Sequence, residues 1–259
     1  TIRPGDLWFS DGCTCNFDVM NPYTDKVCRP TLIPFMDYAS RMIVGFDLDL
    51  SENRRIITSA YRNAITLWGF APLYVKWDNG RAFKSLAPKN ITRAELEEIK
   101  QLEQDEIAEI VGNLYATGVQ EVLYSLPYNP TGKANLERWF GTFDNGLERF
   151  LPGYRGNNIT DKPAHLMRNE KHMQEIDRKL RGSKALTLNE AKLLINWWIL
   201  EIYAQEPHDG IGGRKPIDVW TEGIKQIDPS RRRNPDDLWF LMLSTEIKKL
   251  DRNGVKLRG

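Results

Sequence analysis

Cysteine and histidine are scarce, with three of each in 259 residues. Cys13, Cys15 and Cys28 are odd in number and form no CxxC pair, which argues against a disulfide framework and fits reduced thiols. His165, His172 and His208 lack the spacing of a zinc knuckle. No Ser-His-Asp arrangement and no phosphate-cradling P-loop is present. No apolar run reaches membrane-spanning length and no signal peptide opens the chain, so a cytoplasmic protein without a membrane partner is expected. Overall charge is nearly absent too: 36 bases against 35 acids leave +1. Net charge therefore decides nothing about nucleic acid.

The composition is that of a soluble globular protein, 41% apolar and 27% charged. Its length predicts one large domain plus part of another. The chain starts at Thr1 without an initiator Met, so a fragment of a longer protein is expected. Charge is segregated along it. Residues 93–109 hold seven acids and two bases, whereas residues 162–184 hold seven bases and three acids. Residues 225–259 carry nine bases and five acids. A basic second half permits a polyanionic partner, although each run also reads as solvated surface.

Strand formers fill residues 6–19, where Leu7, Phe9, Asp11, Cys13, Cys15 and Phe17 share one face by period two. Residues 31–50 predict two strands around a turn at Asp37–Ser40. Ser51 is the expected cap of a helix through Ile56, Ile57, Ala60, Tyr61 and Ala64, ending near Gly69. Residues 73–77 form the next strand, and the strand–helix–strand order predicts a parallel pairing in a mixed sheet. Thr92 and Glu95 form a capping box before the acidic stretch, read as a solvated helix. Another strand is expected over 119–125, then a loop, then a helix over "LERWFGTFDNGLERFL". Thr187 and Glu190 open a further helix, with Ala191, Leu194, Ile195, Trp198 and Ile202 on one face. Trp139, Phe140, Trp197 and Trp198 are read as core. "PSRRRNPDDL" reads as a linker, and 245–259 as a hairpin with an Asn-Gly turn.

"VKWDNGRAF", residues 75–83, sets Asp78 after an apolar strand and before Asn-Gly. Turn chemistry alone accounts for such an acid. Two further carboxylates give a second reading: Asp11 on the first strand and Glu137 near the start of a helix. Ligands of open α/β sheets gather at the carboxyl ends of strands. Three acids there would offer the oxygen ligands that hard divalent cations take. Two such ions can clamp the attacking and leaving oxygens of a phosphoryl transfer.

"LWFSDG", "PFMDYASRMIVGFDL", "KWDNGRAF" and "SLPYNPTGKANLERWFGTF", in this order, resemble the DDE transposase and retroviral integrase superfamily. The 59-residue separation of Asp78 and Glu137 exceeds that of retroviral integrases and looks like the phage Mu-type transposase core, which carries an insertion there. "YAQEPHDGIGGRKPIDVW" is similar to the end of such cores. The resemblance implies an RNase H-like mixed five-stranded sheet flanked by helices over 1–225, with the acidic helical insertion at about 85–118. A linker and the first hairpin of a small β-barrel would follow over 226–259. It implies Asp11, Asp78 and Glu137 as catalytic metal ligands for two Mg²⁺ or Mn²⁺ ions. It also implies metal-dependent cleavage at element ends and strand transfer into target DNA, by a homo-multimer assembled on DNA in a bacterial or phage setting. The family's end-recognition domains are missing from this sequence.

Other acids compete for these roles. Asp37 reads better as a turn cap with Ser40. Asp18 falls on the opposite face from Asp11. Asp144 and Glu148 follow Glu137 on the same helix, and Asp144 is the stronger rival. Lys133, Arg138, Arg81 and Lys84 read either as phosphate contacts or as surface charge. Alternative functions are an RNase H-like nuclease and a DNA-binding or assembly protein with a vestigial carboxylate site.

Overall fold

Alternation along one strand divides the molecule into two cores. The computed structural model describes residues 2–77, 113–124, 134–155 and 185–241. In β1 (Leu7–Ser10), Trp8 enters one apolar cluster and Phe9 the other, as successive residues of a strand must. β2 (Cys13–Thr14), β3 (Val19–Met20) and β4 (Val27–Cys28) are short. β5 (Thr31–Asp37) and β6 (Ile43–Asp49) form the expected antiparallel hairpin, with a bulge between Phe35 and Met36.

α1 (Arg54–Trp68) follows β6 and packs on it. Its approach is close. A Cβ on Gly45 would fall 2.6 Å from the Cβ of Ala64, so only glycine fits. The N-cap is Asn53, whose side chain accepts the Ile56 N–H; the expected Ser51 is two residues too early. Gly69 closes the helix in the left-handed conformation, as expected.

β7 (Tyr74–Trp77) then pairs parallel with β1, and β8 (Glu121–Tyr124) pairs parallel with β7. β2 and β1 meet β5 in one continuous register: Ser10 lies opposite Phe35, and Cys13 opposite Leu32. They are two segments of one interrupted strand. The sheet thus has five strand lines in the order β6, β5, β1 with β2, β7, β8. It is mixed and flanked by helices, as expected, and no closed barrel occurs among the described residues. β9 (Leu186–Thr187) joins β3 and β4 in a separate small sheet.

β6 pairs only with β5 among the described residues, and side chains take up several backbone groups along its outward side. Trp68 Nε1 donates to Val44 O at 2.8 Å, and Asn63 Nδ2 to Phe46 O at 3.1 Å. Asp47 and Asp49 accept the N–H groups of Leu48 and Leu50 at 2.8 and 2.7 Å.

The Trp8 core is closed by α1, α4 (Pro216–Ile224) and α5 (Pro235–Leu241), which contribute Ile57, Trp220 and Leu238 among others. The Phe9 core is closed by α2 (Ala134–Gly146) and α3 (Leu188–Glu201) through Trp139, Phe143, Ile195 and Trp198. Cys13, Cys15 and Phe17 join it, as period two predicts. The Thr187–Glu190 capping box is present.

Three expectations need correction. Ile199, not Ile202, completes the buried face of α3, because the chain leaves the α-helix at Ile202. Trp197 is 51% exposed, whereas its neighbour Trp198 is buried. "PSRRRNPDDL" is not a free linker. Arg231 reaches Asp6 Oδ1 at 3.2 Å and the carbonyls of Gly5 and Ala71 at 2.6 and 3.1 Å, and Leu238 is fully buried. A guanidinium fork can gather several acceptors, so an Arg-rich run can dock as well as solvate. Residues 85–112 of the acidic insertion expected at about 85–118, and the hairpin at 245–259, lie outside the described residues.

Candidate active site

The site begins with a proline. The β1 and β2 register brings Pro34 of β5 opposite Asp11. Proline has no N–H to give a ladder. β1 stops at Ser10 and β2 resumes at Cys13, so Asp11 and Gly12 occupy the interruption. Asp11 is half-buried, and its Oδ1 accepts the N–H of Gly12 at 2.9 Å.

Glu52, just before α1, lies against this interruption. A Cβ on Gly12 would sit 2.8 Å from Glu52 Oε1 and 2.9 Å from Ile33 Cδ1. The absence of a side chain at Gly12 lets the Glu52 carboxylate come beside Asp11. Burial, and then the charge of Asp11, raise the Glu52 carboxyl above its usual range. Sequence reasoning missed Glu52. The proximity comes from packing α1 on β6, for which "SEN" holds no local signal.

β7 runs beside β1 in the same direction, with Phe9 opposite Lys76. Both strands therefore end at the same edge of the sheet, the edge where Asp11 lies. Asp78 follows Trp77 in sequence and lies outside the described residues, as do Arg81, Lys84 and Lys133. Glu137 is exposed in the first turn of α2, where the helix dipole favours a carboxylate. Leu136, Trp139 and Phe143 of the same helix pack in the core of Phe9 and Cys13, the strand face to which alternation assigns Asp11. Arg138 is exposed beside Glu137.

The rival acids are committed elsewhere. Asp37 is fully buried at the opposite end of β1, where Trp8 is its partner. It accepts Gly5 N–H at 2.7 Å and the N–H and hydroxyl of Ser40 at 2.8 and 2.7 Å, the expected turn cap. Burial pushes its carboxyl up to about 6 despite these bonds. Asp18 pairs with Arg155 at 2.8 Å. Asp144 and Glu148 point inward and are buried. Asp144 accepts from Asn16 Nδ2 at 3.1 Å and from Tyr154 OH at 3.2 Å.

The Asp11 and Glu52 carboxylates offer oxygen donors, which suit a hard divalent cation. A cation would also relieve the Asp11–Glu52 repulsion. Among the described residues no three His, Cys, Asp or Glu side chains gather as a metal cluster. No helix there is long and apolar enough to cross a membrane. No family model matches the chain, and no curated protein matches its sequence.

Proposed function

We propose that this chain is the catalytic core of a DDE-type transposase of the phage Mu kind, cutting phosphodiesters at element ends and joining them to target DNA. The observation that carries the reading is the parallel pairing of β1 with β7 at the centre of a mixed five-line sheet. It directs the exit of the Asp11 strand and the end of the strand before Asp78 to one sheet edge. The helix-flanked mixed sheet is what an RNase H-like core requires. Glu137, on a helix packed against the Asp11 face, completes the proposed set.

Asp11, Asp78 and Glu137 would hold Mg²⁺ or Mn²⁺, two ions in the active complex, and Glu52 would add negative charge beside Asp11. When bound, the ions supply Lewis-acid activation and charge neutralisation for in-line displacement at phosphorus. Pro34, which has no N–H for the ladder, and Gly12, which leaves room for Glu52, flank Asp11 in the interruption between β1 and β2. Lys133, Arg138, Arg81 and Lys84 would contact DNA phosphates, giving affinity without sequence preference. Assembly as a homo-multimer on DNA, in the cytoplasm of a bacterial host, belongs to the same reading.

The test is strand transfer with pre-cleaved DNA ends and Mg²⁺ or Mn²⁺. Joined product that disappears in Asp78→Asn supports the proposal. Cleavage without joining makes the protein a nuclease. Binding without either, independent of metal, makes it an assembly protein. Wild-type joining by Asp78→Asn would return Asp78 to a turn residue.

A further inference from the structure

Seven residues separate Glu137 from Asp144, about 10 Å along a helix, so the two mark opposite ends of α2. Beyond the end of α2 lies Glu148, in a turn of 3₁₀ helix, and it is as buried as Asp144. Facing both is Asn16, in the segment that continues the Asp11 strand line past β2. Asn16 N–H donates to Glu148 Oε1 at 2.9 Å, and its side-chain amide donates to Asp144 Oδ1 at 3.1 Å. Arg29 fixes the other side of Asn16, donating to its Oδ1 at 2.5 Å and to Cys15 O at 2.5 Å. Apolar packing of Leu136, Trp139 and Phe143 holds α2 against the sheet but is non-directional. The hydrogen bonds to Asn16 fix its rotation and axial position.

We propose that Asn16, Asp144 and Glu148 form a proton-operated clamp that positions the helix of Glu137 against the strand line of Asp11. Asn16 bonds to both Glu148 and Asp144, which sets two buried carboxyls side by side, and such a pair shares a proton more readily than it bears two charges. Burial, and then the partner Asp144, push the Glu148 carboxyl up to about 7 against the lowering bond from Asn16 N–H. The other groups facing the pair are the Cys15 thiol, itself raised by burial and by Cys13 and Glu148, with Tyr154 OH and Arg149 on Asp144. The Arg149 guanidinium is 3.9 Å from Asp144 and 42% exposed, so it neutralises the pair only weakly. Protonated, Glu148 bridges Asp144 while accepting from Asn16. Ionised, it releases its proton to solvent and faces the Asp144 charge, which loosens this end of α2.

The proposal rests on Asp11 and Glu137 being the reacting acids, so the test has one readout that depends on this and one that does not. Hydrogen–deuterium exchange of the full chain, corrected for intrinsic rates, reads protection of the 134–146 segment. Protection should fall from pH 6 to pH 8, by up to about tenfold per unit below the midpoint, and level off above it. Glu148→Gln keeps an acceptor for Asn16 and gives a permanent donor to Asp144, and it should abolish that fall. Asn16→Ala should lower protection at both pH values. In strand transfer, Asn16→Ala should lower kcat several-fold with KM for DNA unchanged, and Glu148→Gln should remove an inflection near pH 7. A pH-independent protection of α2 in the wild type, or an unaltered pH response in Glu148→Gln, overturns the clamp. Absence of joining by every variant, with the exchange response intact, overturns the transposase reading and leaves the clamp standing.

Discussion

Asp11 and Asp37 lie at opposite ends of the same strand pair and have opposite fates. Asp37 is enclosed, and backbone and hydroxyl donors take up both its oxygens. Asp11 sits at a ladder interruption made by Pro34, partly open to solvent, with another carboxylate drawn in beside it over Gly12. Both acids stand at the end of a strand segment, Asp37 before a turn and Asp11 in the interruption before β2. The difference lies in the neighbours. Asp37 is ringed by backbone and hydroxyl donors, whereas Asp11 has the Glu52 carboxylate beside it, which burial and the Asp11 charge raise above its usual range.

The sharpest way to break this comparison is to neutralise each acid in turn. Asp11→Asn should lower joining at least about a thousandfold while leaving thermal unfolding nearly unchanged, since the site loses an anionic ligand and the core loses nothing. Asp37→Ala should do the reverse. It strands the buried N–H groups of Gly5 and Ser40, and chemical denaturation should show a loss of about 3 kcal/mol with activity per folded molecule retained. If Asp37→Ala instead abolished joining in a stable protein, the two roles would have to be exchanged.

A smaller effect sharpens the buried side of the contrast. The carboxyls of Asp37 and Glu148 are raised to about 6 and about 7 from ordinary values of 3.8 and 4.5. Between the ordinary and raised values the folded state binds more protons than the unfolded one. The stability these groups lend is therefore complete below about pH 4 and is lost as pH rises through 6 and 7. Glu148→Gln should gain stability relative to wild type on going from pH 5 to pH 8, as read by urea midpoints. Smallest is the expected change at the surface. Lys133→Ala with Arg138→Ala should make the plot of log K for DNA against log salt less steep by roughly one to two units. An unchanged slope would make these side chains solvated surface.

Much of the fold was legible because it is written locally. The hairpin around Asp37, the left-handed Gly69 and the Thr187–Glu190 box each depend on residues within a few positions. Alternation in 7–17 marked the core face even where the strand is interrupted. Contacts between distant segments were not legible. β3 pairs with β9 across more than 160 residues, and Arg231 bonds to Asp6 across 225. Asp144 stood in the sequence as the stronger rival of Glu137 on one helix, yet it is buried against Asn16, 128 residues earlier, which donates to it. Asp11 and Glu137 could be nominated from sequence because acids at element ends are visible there. Glu52 could not, since only the packing of α1 over Gly12 brings it near Asp11.

The side chains gathered along β6 have a consequence for how copies of the chain could associate. A sheet grows by adding a strand to free N–H and C=O groups at its margin. Here Trp68, Asn63, Asp47 and Asp49 already occupy such groups. With the carbonyls of Val44 and Phe46 and the N–H of Leu48 already taken, this margin offers an incoming strand an incomplete ladder, which disfavours a continuous intermolecular sheet through β6.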